Sequence, residues 1–314
     1  MSKRAVNWLF LVFLLMEVGM VLVVLLTGIR LNIVFALILN QLIFLVPALV
    51  FLAVTKTKIG SMVPYRRIHP VTPLLCIVYT GLCMPLITVV NMISQLFVEN
   101  EVTQLASRML DIPGWLMILV IGIFGPVNEE FLFRGTFYGS YRKTGRILAA
   151  MFLSAFLFGL IHLNFNQMSY AILVGILAVL LIEATGSIVS SMIFHITINT
   201  ENVLLMLMQR DTIASGGGDP RAMVEELLPG MSYTEFMMIA ICIYGMVAII
   251  TTILAVLLVV GISYIEKRNV EFFSIFKLQK KREGGKRETL WSIPLGIAVA
   301  FSLVYMIVDI LPLG

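Results

Sequence analysis

Charge is scarce in this chain. Asp, Glu, Lys and Arg make up 13% of its 314 residues, against about 25% in soluble domains. That shortage excludes an ordinary globular domain. With 60% hydrophobic residues and a mean hydropathy of +1.00, the chain reads as a multispanning, all-α membrane protein. The net charge of +4 comes from residues between the apolar runs, so no nucleic-acid surface is expected. Cysteine is almost as rare. Cys76, Cys83 and Cys242 each lie inside an apolar run, which excludes a disulfide framework or a cysteine metal cluster and leaves them as small packing residues. The histidines are His69, His162 and His195; the last two fall in different runs, so no HExxH zinc helix can form. Asp309, at the edge of the last run, is the one aspartate within them, which excludes an aspartyl dyad. No internal repeat and no low-complexity tail is present.

What is there is a succession of nine apolar runs, at about 7–28, 32–54, 73–97, 114–138, 147–163, 168–184, 187–208, 234–264 and 291–312. Nine spans are predicted, eight being the alternative count, in a single membrane domain over 1–314. No cleavage site follows the first run, which reads as an uncleaved helix. With a cytoplasmic N-terminus, alternation puts Lys3, Arg4 and the basic groups at 56–67, 142–146 and 267–287 on one side. That side holds most of the 22 Lys and Arg residues, as the positive-inside rule requires. The loop 209–233, with Gly216-Gly217-Gly218, is predicted to be mobile.

The costly residues cluster in the fourth run, Gly125-Pro126-Val127-Asn128-Glu129-Glu130-Phe131-Leu132-Phe133-Arg134. A charge at the centre of a spanning helix costs about 2.5–3.5 kcal/mol on insertion scales, so these need partners or a task. Glu130 and Arg134 are one turn apart, acid first, the favourable order for an ion pair. Glu129 points about 100° away, on the face of Gly122 and Gly125, where another helix or a substrate can come close. Pro126 is predicted to interrupt the ladder; a helix restarting there would put Glu129 in its first turn.

Two later runs supply complementary groups. Ser154, Phe158 and His162 share one face of the fifth. Ser187, Ser191, His195 and Asn199 recur every four residues down the seventh. At 1.5 Å per residue, Glu129, His162, His195 and Asn199 fall within about 10 Å of one depth. A carboxylate can take a proton from water that an imidazole orients, and an imidazole with an amide can hold an oxyanion. The same stripes can also be helix–helix glue.

The ordered set Glu129-Glu130-x-x-x-Arg134, Phe158-x-x-x-His162 and His195-x-x-x-Asn199 resembles the motif set of the CAAX protease and bacteriocin-processing (CPBP, or Abi) family of intramembrane proteases, which includes the type II CAAX prenyl endopeptidase. The resemblance covers about 114–205, within a catalytic core of about 114–208 flanked by 1–113 and 209–314. It implies Glu129 as general base, His162 as a holder of the water, His195 and Asn199 as the oxyanion site, and Glu130, Arg134 and Phe158 as support.

The expected function is an intramembrane endopeptidase of the cell membrane, prokaryotic by its short loops, acting on a peptide or membrane protein that is lipidated or membrane-embedded. No cofactor is favoured. The alternative is a zinc site with Glu129, His162 and His195 as ligands and one position open for water. A serine route through Ser191 leaves the carboxylates unexplained. Outside proteolysis, a proton-coupled transporter would use Glu129 with Glu17 and Glu183, though inverted repeats are absent. A non-catalytic immunity or scaffold protein is the remaining alternative.

Overall fold

The structure, a computed structural model, describes residues 3–100, 109–214, 220–277 and 289–310. Among these it is all helical. The principal helices are α1 (Lys3–Thr27), α2 (Ile33–Val54), α3 (Thr72–Gln95), α4 (Gly114–Arg142), α5 (Ile147–Leu160), α6 (Phe165–Thr185), α7 (Ile188–Met208), α8 (Tyr233–Ile265) and α9 (Ile293–Ile310). Eight are long and apolar enough to cross a membrane; α5, with 14 residues, is not. At about 1.5 Å per residue it reaches about 21 Å, short of a hydrocarbon core of about 30 Å. The predicted nine spans are therefore eight plus a partial helix. Arg108, Gly216-Gly217-Gly218 and the stretch 278–288, with much of the longest basic loop, lie outside the described residues.

Local chemistry sets the ends of the helices. The Asn32 and Asn164 side chains accept from Val34 N–H and Gln167 N–H at the starts of α2 and α6, and Ser187 does the same for Val189 in α7. Ser232 and Glu235 form a reciprocal capping box on α8. Gly186, at φ +73°, closes α6 in the left-handed region that a side chain resists. α5 stops because Leu163 turns left-handed, at φ +52°. Asn164 then caps the next helix, so the polar link expected over 164–167 shrinks to little more than one residue.

α4 departs from a regular helix. Its backbone hydrogen bonds widen to i→i−5 over Ile118–Phe124 and Phe131–Tyr138, on either side of an α-helical Gly125–Glu130. The interruption expected at Pro126 is thus a change of register within continuous helix; Phe124 and Gly125 keep helical dihedrals. Such wide turns are frequent at functional sites.

Helices α4 to α7 pack together, with α3 against α6, α7 and α8. α1 pairs with α2 and α9, and α2 also touches α4. Much of the outward-facing apolar surface of α1, α2 and α8 suits contact with lipid. Aromatic rings run from α1 into the middle of the bundle. Phe10 and Phe13 meet Phe137 edge-on at 5.9 and 6.1 Å, Phe137 stacks on Phe133 at 5.3 Å, and Phe133 meets Phe158 at 5.1 Å. Each such pair contributes about 0.5–1.5 kcal/mol beyond its area.

At the end of the bundle near the α6–α7 turn, Glu183 accepts from Arg142 Nε at 2.6 Å and from the Tyr138 hydroxyl at 2.7 Å. Glu17 pairs with Asn40 Nδ2 at 2.8 Å across α1 and α2. Both acids offered for a proton path thus have helix-joining partners.

α5 and α6 approach closely at Gly175. A Cβ there would lie 2.8 Å from both Cα and Cβ of Ala155 and 3.5 Å from Arg134 Nη2. Backbone cannot yield as a flexible side chain can. Gly175→Ala is expected to destabilise the protein by about 1–3 kcal/mol, read as a lower midpoint of thermal unfolding in detergent.

Candidate active site

The irregular stretch of α4 determines what reaches the interior. Pro126 has no N–H, so the carbonyls one turn before it lose a donor. α7 supplies replacements: Asn199 Nδ2 donates to Ile121 O at 3.3 Å, and Thr200 Oγ1 to Gly122 O at 3.4 Å. The two helices can approach because Gly122 has no side chain; a Cβ there would meet Thr200 Oγ1 at 2.9 Å. The close approach expected on the Gly122 face is thus made by α7. It also holds α7 in the register that brings His195, one turn before Asn199, opposite the two glutamates.

The charged groups form a chain. Arg134 Nη1 lies 3.0 Å from Glu130 Oε1, and both side chains are almost fully buried. The same oxygen faces His195 Nδ1 at 3.0 Å. Accepting at Glu130 means that Nδ1 carries the hydrogen, so the carboxylate fixes both the tautomer and the tilt of the ring. The other nitrogen, Nε2, lies 3.7 Å from Glu129 Oε2. That is too long for a direct hydrogen bond and close enough for both atoms to reach one water lying beside the pair. Glu129 keeps 20% of its side chain accessible, whereas Glu130 has none. The paired carboxylates are therefore unequal: one is locked to a cation and an imidazole, and the other faces open space.

Phe158 ties the fifth helix to this chain. The Arg134 guanidinium sits 4.3 Å above its ring. The ring stands edge-on to His162 at 5.2 Å and to His195 at 5.6 Å. Both imidazoles thus share one aromatic neighbour. His162 sits where α5 gives way to its left-handed turn, inside the bundle. Ser154, one turn before Phe158, donates to Phe133 O at 2.9 Å and fastens α5 to the wide-turn part of α4. Ser191 donates to Ile188 O within its own helix.

The structure therefore brings together Glu129, Glu130, Arg134, Phe158 and His195, with His162 beside Phe158 and Asn199 one turn further along α7. Among the described residues no three His, Cys, Asp or Glu side chains form a group able to hold a metal ion. Glu129, His162 and His195, the alternative zinc ligands, do not make such a set in this geometry.

Sequence reasoning missed the contribution of α2. Asn128 Nδ2 donates to both the main-chain and side-chain oxygens of Gln41, at 3.1 and 2.8 Å. The available signal was the adjacent amides Asn40-Gln41 in the middle of an apolar run.

Comparison with known proteins agrees with the motif set. Residues 111–200 match the family model described as type II CAAX prenyl endopeptidase Rce1-like. Every motif residue from Glu129 to Asn199 lies inside that match. Over 111 residues the chain is 31% identical to "Putative membrane peptidase YdiL" of Bacillus subtilis (strain 168). The aligned stretch is 35% of this chain and 44% of that protein, so the chain spans less than half the length of that relative. No solved structure gives a significant match.

Proposed function

Taking residues 111–200 as an Rce1-like segment, we propose that the protein is an intramembrane endopeptidase in which Glu129 activates water. The observation that carries this reading is the 3.7 Å gap between Glu129 Oε2 and His195 Nε2, with His195 held from behind by Glu130 and Arg134. A water beside that pair would meet a carboxylate able to take its proton and an imidazole whose orientation is fixed.

In the first step Glu129 removes a proton from water as the oxygen attacks the scissile carbonyl carbon. Its π electrons move to the carbonyl oxygen. His195, when protonated at Nε2, and the second amide N–H of Asn199 are the donors for that oxyanion. In the second step the oxyanion re-forms the carbonyl, the C–N bond breaks, and Glu129 returns the proton to the leaving amine. His162, across Phe158, would help hold the water or substrate. The substrate class is a peptide or membrane protein entering from the bilayer, lipidated or helical. In this reading the loops carrying Lys56 to Arg67 and Arg142 to Arg146 face the cytoplasm.

Zinc chemistry remains distinguishable by experiment, because a metal route would use Glu129, His162 and His195 together. The test is cleavage-site mass spectrometry on membranes with and without the protein, repeated with a chelator. New peptide ends that depend on the protein and persist with chelator are expected. Ends abolished by chelator and restored by zinc would replace this mechanism with the metal-dependent one. Absence of new ends would remove the peptidase reading.

A further inference from the structure

A second ordered set of charged groups surrounds the α6–α7 turn. Two spanning helices end and begin there, so the turn marks a membrane surface. Glu183, buried near the end of α6, holds Arg142 through two parallel bonds: Nε to Oε1 at 2.6 Å and Nη2 to Oε2 at 2.9 Å. The Arg142 side chain is still 41% exposed. Arg268 comes over the same turn from just beyond α8. Its Nε donates to the Glu183 main-chain oxygen at 3.3 Å. It lies across Gly186, where a Cβ would sit 3.1–3.2 Å from Cδ, Nε and Cζ of the arginine. Among the described residues no carboxylate pairs with Arg268. The loop with Arg66 and Arg67 crosses the turn as well, since Ile188 N–H donates to Pro64 O at 2.7 Å. Both of those arginines are exposed. Glu266, the other buried acid nearby, accepts from His69 N–H and the Thr72 hydroxyl. Cations therefore outnumber acids around the turn.

Directly after Arg268 comes a short helix, Asn269–Ser274, which packs on α6. Phe272 and Ile275 are buried. Val270, Phe273 and Phe276 recur every three residues and stay 71%, 41% and 54% exposed. Phe272 stands edge-on to Phe273 and Phe276 at 5.7 and 5.9 Å. An exposed apolar stripe bordered by Lys267, Arg268 and Lys277 has the chemistry of a segment that lies in a headgroup layer.

We propose that the α6–α7 turn binds the phosphate of an anionic lipid, held by Arg142 and Arg268, with the Asn269–Ser274 helix seated in the bilayer surface beside it. Guanidinium forks match phosphate oxygens. Gly186 gives Arg268 its place over the turn, and Glu183 anchors both arginines from beneath. Charge selects the lipid: an anionic headgroup meets unpaired cations, while its chains meet the apolar stripe. This site stands apart from the peptidase reading and does not depend on it.

The test is native mass spectrometry of the detergent-purified protein titrated with phosphatidylglycerol or phosphatidylcholine. Phosphatidylglycerol is expected to bind about tenfold more tightly. Arg268→Gln is expected to weaken it about fivefold. Lys58→Gln, which removes an exposed cation from the preceding part of the 56–67 loop, is expected to change it little. Equal losses in the two variants would make the effect diffuse surface charge and overturn the site. Equal binding of the two lipids would overturn it too. So would displacement of the lipid by excess inorganic phosphate, because the ligand would then be a free anion. A spin label attached through Phe273→Cys, in a Cys242→Ser background, reads the short helix without touching Arg268. Greater access for oxygen than for a nickel chelate is expected. The reverse would place the stripe in water, as a face for a soluble protein, and overturn the proposal.

Discussion

Glu129→Gln is expected to lower kcat by about 10²- to 10⁴-fold, the usual loss on removing a positioned general base. The fold should survive it. Gln has the shape of Glu. Removing a half-buried carboxylate from membrane depth also relieves a desolvation cost, so thermal unfolding in detergent should begin no earlier than in the wild type. The pairing of near-wild-type stability with lost turnover is the point of the experiment. A variant that cleaves peptides at near-wild-type rate would remove Glu129 from the chemistry altogether.

Arg134→Met should do the opposite, acting first on stability. Arg134 and Glu130 are both almost fully buried, and His195 leans on the same carboxylate oxygen. Taking away the guanidinium leaves a buried carboxylate short of its main counter-charge, a loss of about 3–5 kcal/mol in comparable pairs. It also removes the stacked contact with Phe158 at 4.3 Å. The measurement is the yield of folded protein and its unfolding midpoint in detergent. The double variant Glu130→Gln with Arg134→Met is expected to recover much of the stability, because neither charge is then stranded. It should not recover full activity, because an amide oxygen at position 130 holds the His195 ring more weakly than the carboxylate does. If Arg134→Met alone is as stable as the wild type, the ion pair is not what holds α4 in shape.

These two predictions rest on features of different legibility in the sequence. The Glu130–Arg134 pair follows from a spacing of four on a helix, and the structure makes it at 3.0 Å. The polar stripe of α7 was equally readable, because a period of four in an apolar helix leaves few interpretations. The role of Glu130 was only half readable. Spacing pairs it with Arg134, but its hold on His195 depends on how two distant helices cross. Gln41 could not be deduced, since one amide in an apolar run has no motif and its partner lies far along the chain. The widened turns of α4 were hidden for another reason: Pro126 marks an irregularity, but Pro alone does not say whether the ladder opens, kinks or changes register. The end of α5 was misplaced because Leu163 is a residue type that rarely adopts a left-handed turn. Composition continued the apolar run past a point where the backbone stops.

That early stop has a consequence for how a histidine is presented. A helix of 14 residues beside neighbours of 21 and 29 turns back inside the bundle. The N–H groups of Ile161, His162 and Leu163 donate to the carbonyls of Leu157, Gly159 and Leu160, and Leu163 and Asn164 are buried. A reversal whose backbone groups are closed within protein can sit at membrane depth. His162 is thus carried on a bend, and its height is set by where the backbone reverses as much as by helical periodicity.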